Sequence, residues 1–461
     1  MKTKTVTVKV AKFGGTSLAD ANQILKVLEI VKADPARRIV VVSAPGKRSS
    51  QDTKVTDLLI ALAEARLAGR SAEAELAAVV ARFAEIRKAL DLPKAALTAI
   101  ERDLRGRMES DRSHRGRFLD LLKAAGEDNS ARIVAAAFTK QGLPARYLNP
   151  KDAGLLLTDD PGNATVLPES YPNLAKSLAD TRKVIVFPGF FGTTTAGGVV
   201  TFPRGGSDIT GAILAAAVGA SEYENFTDVD SVFAVDPRIV PGARAIALLT
   251  YREMRELAYA GFGVFHDEAI VPAVQARIPI GIKNTNRPDA PGTRIVPTRS
   301  YTSGGVVGIA SADGFCTLSL DKYLMNREIG FGRRLLQIVE EEGLSYEHVP
   351  SGIDNISVVL REANLSDDKK AHIVKRCLEE LKADDAEFEP GLALIMVVGE
   401  GMRYTVGLAR RATAALAEAG VNIEMMNQGA SEISMMFGVK AVDRKKAVKA
   451  LYDAFFETGA A

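Results

Sequence analysis

The N-terminal segment constrains the fold most, because it passes from strand to glycine turn to helix to buried strand. Residues 6–10 alternate between apolar and polar side chains and predict a strand. The glycine-containing stretch 12–17 follows, and residues 21–30 then carry apolar side chains at helical spacing. Residues 38–43 form a β-branched run that is typical of a strand buried on both faces. This order is a βαβ unit and predicts a parallel sheet with helices on its faces.

The same alternation returns later in the chain, with a strand at 183–187, a helix at 208–217 and a strand at 278–283. These elements extend the predicted α/β domain over residues 1–298. Residues 58–122 are rich in Ala, Leu, Glu, Lys and Arg, and they predict an insertion of several solvent-facing helices. For any single residue in this insertion, a lid or decoration without chemistry is the simpler interpretation.

The C-terminal part contains a degenerate internal duplication. Each copy has the element order of a ferredoxin-like βαββαβ motif, so we predict two small domains at 299–389 and 390–461. In the first copy the predicted elements are strands 316–320 and 355–360 and helices 332–340 and 370–381. In the second copy they are strands 392–398, 421–425 and 432–437 and helices 405–419 and 445–456.

Composition excludes several classes of function. Lys and Arg number 59 against 57 Asp and Glu, and this balance argues against a protein that grips nucleic acid or an anionic membrane by charge. Two cysteines without CxxC spacing and four histidines without a ligand pattern predict neither a disulfide framework nor a metal site. The Thr- and Lys-rich start does not fit a signal peptide, and no apolar run approaches about 18 residues. We therefore expect a soluble, cytoplasmic protein.

The motif Lys12-Phe-Gly-Gly-Thr-Ser17 is suited to holding an anion. Two glycines let the backbone approach a bulky anion, and the helix that follows is expected to offer free N–H groups. Lys12 would supply a compact charge to a transferring phosphoryl group. The spacing matches neither GxxxxGK[ST] nor GxGxxG, so a tight turn with an exposed lysine remains the alternative for this motif alone.

A second glycine pair, in Arg204-Gly-Gly-Ser-Asp208, also precedes a predicted helix. Arg204 can bind a carboxylate or a phosphate through paired N–H donors. Ser207 and Asp208 are equally plausible as caps of that helix. Two such anion cradles in one α/β domain favour phosphoryl transfer between two anionic substrates.

Thr227 and Asp228 end another strand-like run. The carboxyl edge of a parallel sheet is where ligands bind in such folds, so both residues are candidates for binding. An Asx-type turn, supported by the Asp-Pro pair at Asp236, is the alternative.

These motifs, their order and the duplicated tail together resemble the aspartate kinase (aspartokinase) family, in its monofunctional bacterial form. The resemblance covers nearly the whole chain and implies a three-layer amino acid kinase fold followed by two ACT domains. It implies ATP- and Mg²⁺-dependent phosphorylation of the β-carboxylate of L-aspartate to 4-phospho-L-aspartate, the first step of lysine, threonine and methionine biosynthesis. No dinucleotide-binding domain is expected after the ACT pair.

The resemblance also implies roles for single residues, with Lys12 and Asp208 catalytic. The residues implied to bind nucleotide are Lys12, Gly14, Gly15, Thr16, Thr227, Asp228, Phe233 and Arg238. The residues implied to bind aspartate are Thr56, Glu127, Arg204, Gly205, Gly206 and Ser207. Among these, Glu127 would recognise the amino group and Arg204 the α-carboxylate.

One departure concerns Gly263, which stands where many family members carry a lysine near the nucleotide. Lys283 is a candidate substitute, although a surface lysine at a strand end is the simpler interpretation. Phe233 likewise occupies a position that is often tyrosine.

The ACT tail implies feedback by an amino acid, with lysine expected and threonine as a second candidate. The candidate effector-binding residues are Asn326, Gly330, Phe331, Ser351 and Asp354, for which an ordinary turn and cap is the alternative. A homodimer through the ACT domains is expected, with a tetramer as the alternative. Two other functions stay open at this point: a superfamily enzyme that acts on another small carboxylate such as acetylglutamate, and a catalytically silent amino-acid sensor.

Overall fold

A computed structural model describes residues 7–262, 267–301, 305–429 and 433–457. Gly263 lies outside these described residues. The chain forms two compact units, each described here by itself. The first unit comprises the described residues of 1–232, 245–251 and 264–299, and the second comprises those of 233–244, 252–263 and 300–461. No helix within the described ranges has the length and apolar character needed to cross a membrane.

The first unit is organised around a mainly parallel sheet, as predicted. Its strands, with a separate small hairpin of β5 and β6, are β1 (Lys9–Phe13), β2 (Arg37–Val42), β3 (Ala145–Tyr147), β4 (Val184–Pro188), β5 (Phe191–Thr193), β6 (Val199–Thr201), β7 (Glu222–Thr227), β8 (Leu248–Thr250), β9 (Ile280–Asn284) and β10 (Thr293–Val296). The order across the sheet is β3-β4-β2-β1-β7-β9-β10-β8. Neighbouring strands are parallel except for the β9–β10 pair.

The helices of this part of the chain are α1 (Ala21–Ala33), α2 (Val55–Leu67), α3 (Glu73–Ala89), α4 (Lys94–Met108), α5 (Arg115–Lys140), α6 (Pro150–Ala153), α7 (Ser170–Ser177), α8 (Gly206–Val218), α9 (Tyr251–Tyr259) and α10 (Val271–Gln275). Helices cover both faces of the sheet, which gives three layers. Phe226 of β7 belongs to the core that includes α1, whereas Tyr223 faces the other side. A Cβ added to Gly211 of α8 would lie 2.5 Å from the Tyr223 ring, so only glycine allows this approach.

The predicted helical insertion is confirmed as α2 to α5, but it is not a solvent-facing decoration. Leu59, Phe83, Leu104 and Phe138, one from each helix, are buried in one core with the central strands. The insertion therefore contributes to the core of the first unit, because its Ala- and Leu-rich faces pack on each other and on the sheet.

Among the described residues the first strand begins at Lys9, and residues 7 and 8 of the predicted strand precede it; residue 6 lies outside the described residues. β1 pairs in parallel with both β2 and β7, so it lies in the middle of the sheet. Val10, Ala11 and Phe13 are fully buried, since both faces of a central parallel strand are covered. Lys12 consequently belongs to the end of a buried strand and not to the turn.

The second unit contains a sheet with the order β12-β13-β11-β14-β16-β15. Its elements are β11 (Gly308–Asp321), α11 (Phe331–Glu341), β12 (Tyr346–His348), β13 (Asn355–Arg361), α12 (Asp367–Glu380), β14 (Asp385–Val398), α13 (Leu408–Glu418), β15 (Met425–Asn427), β16 (Ser434–Lys440) and α14 (Arg444–Tyr452). β15 begins where the predicted strand 421–425 was expected to end. α14 stops at Tyr452 and continues as a π-helical turn to Glu457.

The two copies of the duplicated motif share this sheet. β11 and β14 pair antiparallel from one end to the other, with a shift of register between Ala312 and Phe315. Residues 308–312 pair with 394–398, beside the strands of the second copy, and Phe315 onward pairs beside the first copy. The division at residue 389 stays a prediction, and the shared strands were not predicted.

Glu224 is the centre of a buried charge cluster on β7. Its side chain is fully buried. Arg37 Nε and Lys283 Nζ each lie 2.6 Å from a carboxylate oxygen of Glu224, and Lys9 Nζ lies 3.6 Å from one. Burial acts to raise the pKa of Glu224, but the hydrogen bonds from Arg37 and Lys283 outweigh burial and lower it. Lys283 is thus committed to an ion pair inside the first unit.

Replacing Glu224 by Gln should destabilise the protein strongly, since it would leave buried cations without their counter-charge. We expect the free energy of unfolding to fall by about 3 kcal/mol. Urea titration followed by circular dichroism measures this change. Glu222→Gln is the matched control, because Glu222 is partly exposed and should cost less than about 1 kcal/mol. Equal effects of the two substitutions would contradict the assignment.

Candidate active site

Lys12 and Asp208 form the ion pair at the centre of the candidate site. Lys12 Nζ lies 2.6 Å from Asp208 Oδ1, and the side chains are only 9% and 19% exposed. Asn225 of β7 completes a triangle, since its Nδ2 donates to Asp208 Oδ1 at 2.7 Å and its Oδ1 accepts from Lys12 Nζ at 3.4 Å. Three elements, β1, β7 and α8, are therefore joined at one cation.

Backbone contacts surround the glycines after β1, and they leave little room for a side chain at Gly15. Gly14 N–H donates to the carbonyl of Phe226 at 3.2 Å, which holds the turn against β7. A Cβ on Gly15 would lie 3.0 Å from the carbonyl oxygen of Ala44. A Cβ on Gly46 would lie 2.5 Å from the carbonyl carbon of Gly15. Both segments of the chain therefore need glycine where they cross.

The amides beside Lys12 belong to a 3-10 turn, Gly15–Leu18, which contains Thr16. α1 begins at Ala21, as predicted, and the Asp20 carboxylate caps it by accepting from Gln23 N–H at 2.9 Å. That this helix offers free N–H groups to an anion stays a prediction.

The second glycine pair begins α8. Gly205 is the N-cap in the left-handed conformation (φ 83°), and a Cβ on Gly206 would lie 2.6 Å from the Phe190 ring. Neither Ser207 nor Asp208 is the N-cap, which removes the alternative that they serve only as caps. Asp208 lies in the first turn and points its carboxylate at Lys12.

The residues flanking this helix start differ in exposure. Arg204 is exposed directly before the glycines, and Ser207 is buried beside Gly189. A Cβ on Gly189 would lie 2.6 Å from Ser207 Oγ, so the turn after β4 packs closely on the start of α8.

Glu127 is a buried acid with unused hydrogen-bonding capacity. It lies on α5, is 5% exposed, and its Oε2 has no hydrogen-bond partner among the described residues. Burial raises the pKa of Glu127 to about 8, and the backbone N–H of Ala44 opposes that shift. Ala44 also lies against Gly15, so the acid and the first glycine turn share a neighbour.

Thr56 lies in the first turn of α2 and is half-buried. A Cβ on Gly126 would lie 3.1 Å from Leu59 Cδ1, which shows how closely α5 packs on α2. Thr56 and Glu127 are therefore on two helices in direct contact.

The predicted nucleotide-binding residues do not all belong to one unit. Thr227 and Asp228 lie at the carboxyl end of β7, as predicted, and the carbonyl of Thr227 accepts from Thr285 N–H at 2.9 Å. Phe233 and Arg238 belong to the second unit. Arg238 is exposed and pairs with Asp236 at 2.7 Å.

In the second unit, the candidate effector residues come together in two touching loops. Asn326 N–H donates to the carbonyl of Ile353 at 3.1 Å, and the Asp354 carboxylate accepts from Leu324 N–H at 2.8 Å. Gly330 (φ 80°) is the N-cap of α11, and Phe331 is its buried first residue. Ser351 forms an isolated bridge with Ile356.

Sequence reasoning missed Asn225 and the backbone around Ala44 and Gly46. Asparagine is uncommon inside strands, so its place in a buried run was a usable signal for Asn225. Gly46 is not part of a recognisable sequence motif, because its role depends on Gly15, which is distant in sequence.

Comparisons with known proteins identify the family of the chain. A family model described as the amino acid kinase family matches residues 7–284, and an ACT domain model matches residues 395–455. Aspartokinase 3 of Bacillus subtilis is 57% identical over 97% of this chain and 99% of its own length.

Solved structures resemble the chain over the same extent. The aspartate kinase of Clostridium acetobutylicum superposes with a TM-score of 0.85 at 36% identity, covering 97% of this chain and all of that one. Aspartokinase III of E. coli, solved with aspartate and ADP, gives a TM-score of 0.76 at 25% identity over 97% of this chain and all of that one. The same E. coli enzyme, solved with lysine and aspartate, gives a TM-score of 0.76 at 26% identity. That match covers 97% of this chain and 99% of the E. coli chain.

Replacing Glu127 by Gln should remove a pH dependence of stability. The folded protein keeps this proton up to about pH 8, whereas the unfolded chain releases it near the ordinary value of 4.5. The free energy of unfolding of the parent protein should therefore fall between these values as pH rises, by about 1.4 kcal/mol per pH unit. Urea titrations at several pH values check this; equal slopes in parent and variant would contradict it.

Proposed function

This chain belongs to the aspartokinase family of amino acid kinases, and we propose that it transfers the γ-phosphoryl group of ATP to L-aspartate at the Lys12–Asp208 centre. A β-carboxylate oxygen of aspartate forms the new bond to phosphorus, and the bond to the bridging oxygen of ADP breaks. The observation that carries this proposal is the ion pair between the two glycine turns, which holds a cation where two anions would meet.

Lys12 would act by charge. Two anions that approach each other repel, and a fixed cation with backbone N–H groups offsets that repulsion most effectively as charge shifts in the transition state. Asp208 and Asn225 hold the lysine in place, so its position needs little reorganisation. No nucleophilic side chain is required, because the substrate carboxylate is itself the nucleophile.

Aspartate would be recognised by Glu127, Thr56 and Arg204. Glu127 Oε2, which has no hydrogen-bond partner in the described part of the chain, suits an ammonium group, which would also favour the ionised acid. Arg204 is exposed at the start of α8 and can hold the α-carboxylate through paired donors. The backbone of Gly205 and Gly206, with the Ser207 hydroxyl, would complete the carboxylate pocket.

ATP would approach Lys12 across Gly14, Gly15 and Thr16, with Thr227 and Asp228 at the neighbouring strand end. Phe233 and Arg238 are the further nucleotide contacts that family membership suggests. Among the described residues no cluster of three His, Cys, Asp or Glu side chains forms a metal site of its own. Mg²⁺ with a nucleotide needs only one or two protein carboxylates, and Asp208 would provide one, so that the ion could neutralise phosphate charge.

The second unit would supply feedback control by lysine, with threonine as a second candidate, and would join two chains into a dimer. The two touching loops around Asn326 and Asp354 are the proposed effector site. The E. coli relative solved with lysine supports the choice of effector. Exposed Ile329 and Ile353 on these loops supply apolar surface that suits a dimer contact.

Lys12→Ala should reduce kcat by at least about a hundredfold while the fold is kept, because the transition state loses its fixed cation. The assay supplies ATP and aspartate and traps the acyl phosphate with hydroxylamine. Lys26→Ala is the matched control, since Lys26 is exposed and bonds only to Asn286 among the contacts described. Near-normal turnover by folded Lys12→Ala would contradict the proposal.

Asp354→Ala should weaken inhibition by lysine and leave activity without lysine unchanged, because Asp354 holds the two effector loops together. We expect the lysine concentration for half-inhibition to rise by about tenfold. Asp313→Ala, an exposed acid at the register shift of β11, serves as the control. An unaltered lysine response in Asp354→Ala would place the effector site elsewhere.

A further inference from the structure

Arg82 of α3 is a buried cation inside the helical insertion. Its side chain is 5% exposed, although the insertion had been expected to face solvent. The guanidinium donates to four acceptors in three separate segments: Asp52 Oδ2 at 2.8 Å, Thr53 O at 3.0 Å, Ala19 O at 3.2 Å and Gly46 O at 3.0 Å. Three of these acceptors are backbone carbonyls.

Each of the three segments leads directly to the candidate active site. Ala19 directly follows the 3-10 turn Gly15–Leu18, whose N-cap is Gly14. Gly46 donates its N–H to the carbonyl of Gly15 at 2.8 Å, so it fixes the same turn from the other side. Thr53 precedes α2, whose first turn carries Thr56.

We infer that Arg82 is a positioning residue for phosphoryl transfer. It holds the 3-10 turn Gly15–Leu18 and the start of α2, which carries Thr56, at a fixed separation. The inference rests on the proposed function, in which phosphate binds at that turn and aspartate at Thr56. Arg82 touches neither substrate in this account. It acts through the backbone of Ala19, Gly46 and Thr53.

The chemistry of the side chain supports this role. A guanidinium is planar and presents donors in a fixed fork, so it can join acceptors that lie in different directions. A lysine ammonium is a point charge on a flexible stem and cannot span the same carbonyls. Asp52 supplies the counter-charge and is itself held by Arg48, which donates from Nε at 2.9 Å. The buried charge is thus paired, as stability requires.

A positioning role differs from simple structural support in what it does to kinetics. If Arg82 only stabilised the fold, its loss would reduce the folded fraction and leave the KM values of the folded enzyme unchanged. If Arg82 sets the separation of the two segments, the KM values for aspartate and ATP should both rise and kcat should fall. A displacement of about 1 Å between reacting groups costs about a hundredfold in rate.

The test compares Arg82→Ala, Arg82→Lys and the control Arg87→Ala in the full chain. Arg87 lies on the same helix and donates to Leu92 O at 3.0 Å, away from the active-site segments. We expect kcat to fall about a hundredfold in Arg82→Ala. Both KM values should rise, with a smaller defect in Arg82→Lys and none in Arg87→Ala. Circular dichroism melting curves establish the folded fraction; should Arg82→Ala not fold, Arg82→Lys is judged by the same criteria.

Chemical rescue supplies the decisive readout. Methylguanidinium should raise the activity of Arg82→Ala in a saturable manner and leave Arg87→Ala unchanged, and urea at equal concentration should not rescue. Normal KM and kcat in folded Arg82 variants, or losses that only follow the folded fraction, would overturn the inference. A parent protein without turnover of aspartate would instead overturn the proposed function, so the two failures are distinguishable.

Discussion

The ion pair between Lys12 and Asp208 is the interaction on which the rest of the site depends. A lysine at the end of a central strand is nearly surrounded by protein, and such a charge needs a partner. Asp208 provides it from the first turn of α8, and Asn225 holds both groups from the neighbouring strand. The pair thereby sets the position of α8 over the sheet. In the proposed mechanism it would also hold a cation at the place where phosphate and a carboxylate repel each other.

Glu127, the second acid of the candidate site, has surroundings opposite to those of Asp208, which is paired with a lysine. Glu127 is buried without a cation bonded to it, and one oxygen lacks a partner among the described residues, so the neutral form is favoured until a ligand brings positive charge. The two carboxylates differ because their surroundings differ. The backbone around Ala44 and Gly46 lies against Gly15, and the Ala44 N–H that bonds to Glu127 connects this acid to the first glycine turn.

Much of this organisation could be predicted from the sequence, because strand and helix periodicity is local. The βαβ start, the helical insertion and the duplicated tail all followed from short patterns, whereas Lys12, predicted in the glycine turn, lies in β1. Contacts between distant segments could not be predicted in this way. Asn225, the crossing at Gly46 and the burial of Arg82 each depend on a neighbour far away in the chain, and the strands shared by the two ACT copies depend on pairing alone.

A crystal structure of the protein with a non-hydrolysable ATP analogue, Mg²⁺ and aspartate tests the proposed role of Lys12. We expect Lys12 Nζ to lie within hydrogen-bond distance of a terminal phosphate oxygen. The β-carboxylate of aspartate should face the same phosphorus. A terminal phosphate bound away from Lys12, with the lysine still paired to Asp208 alone, would contradict it.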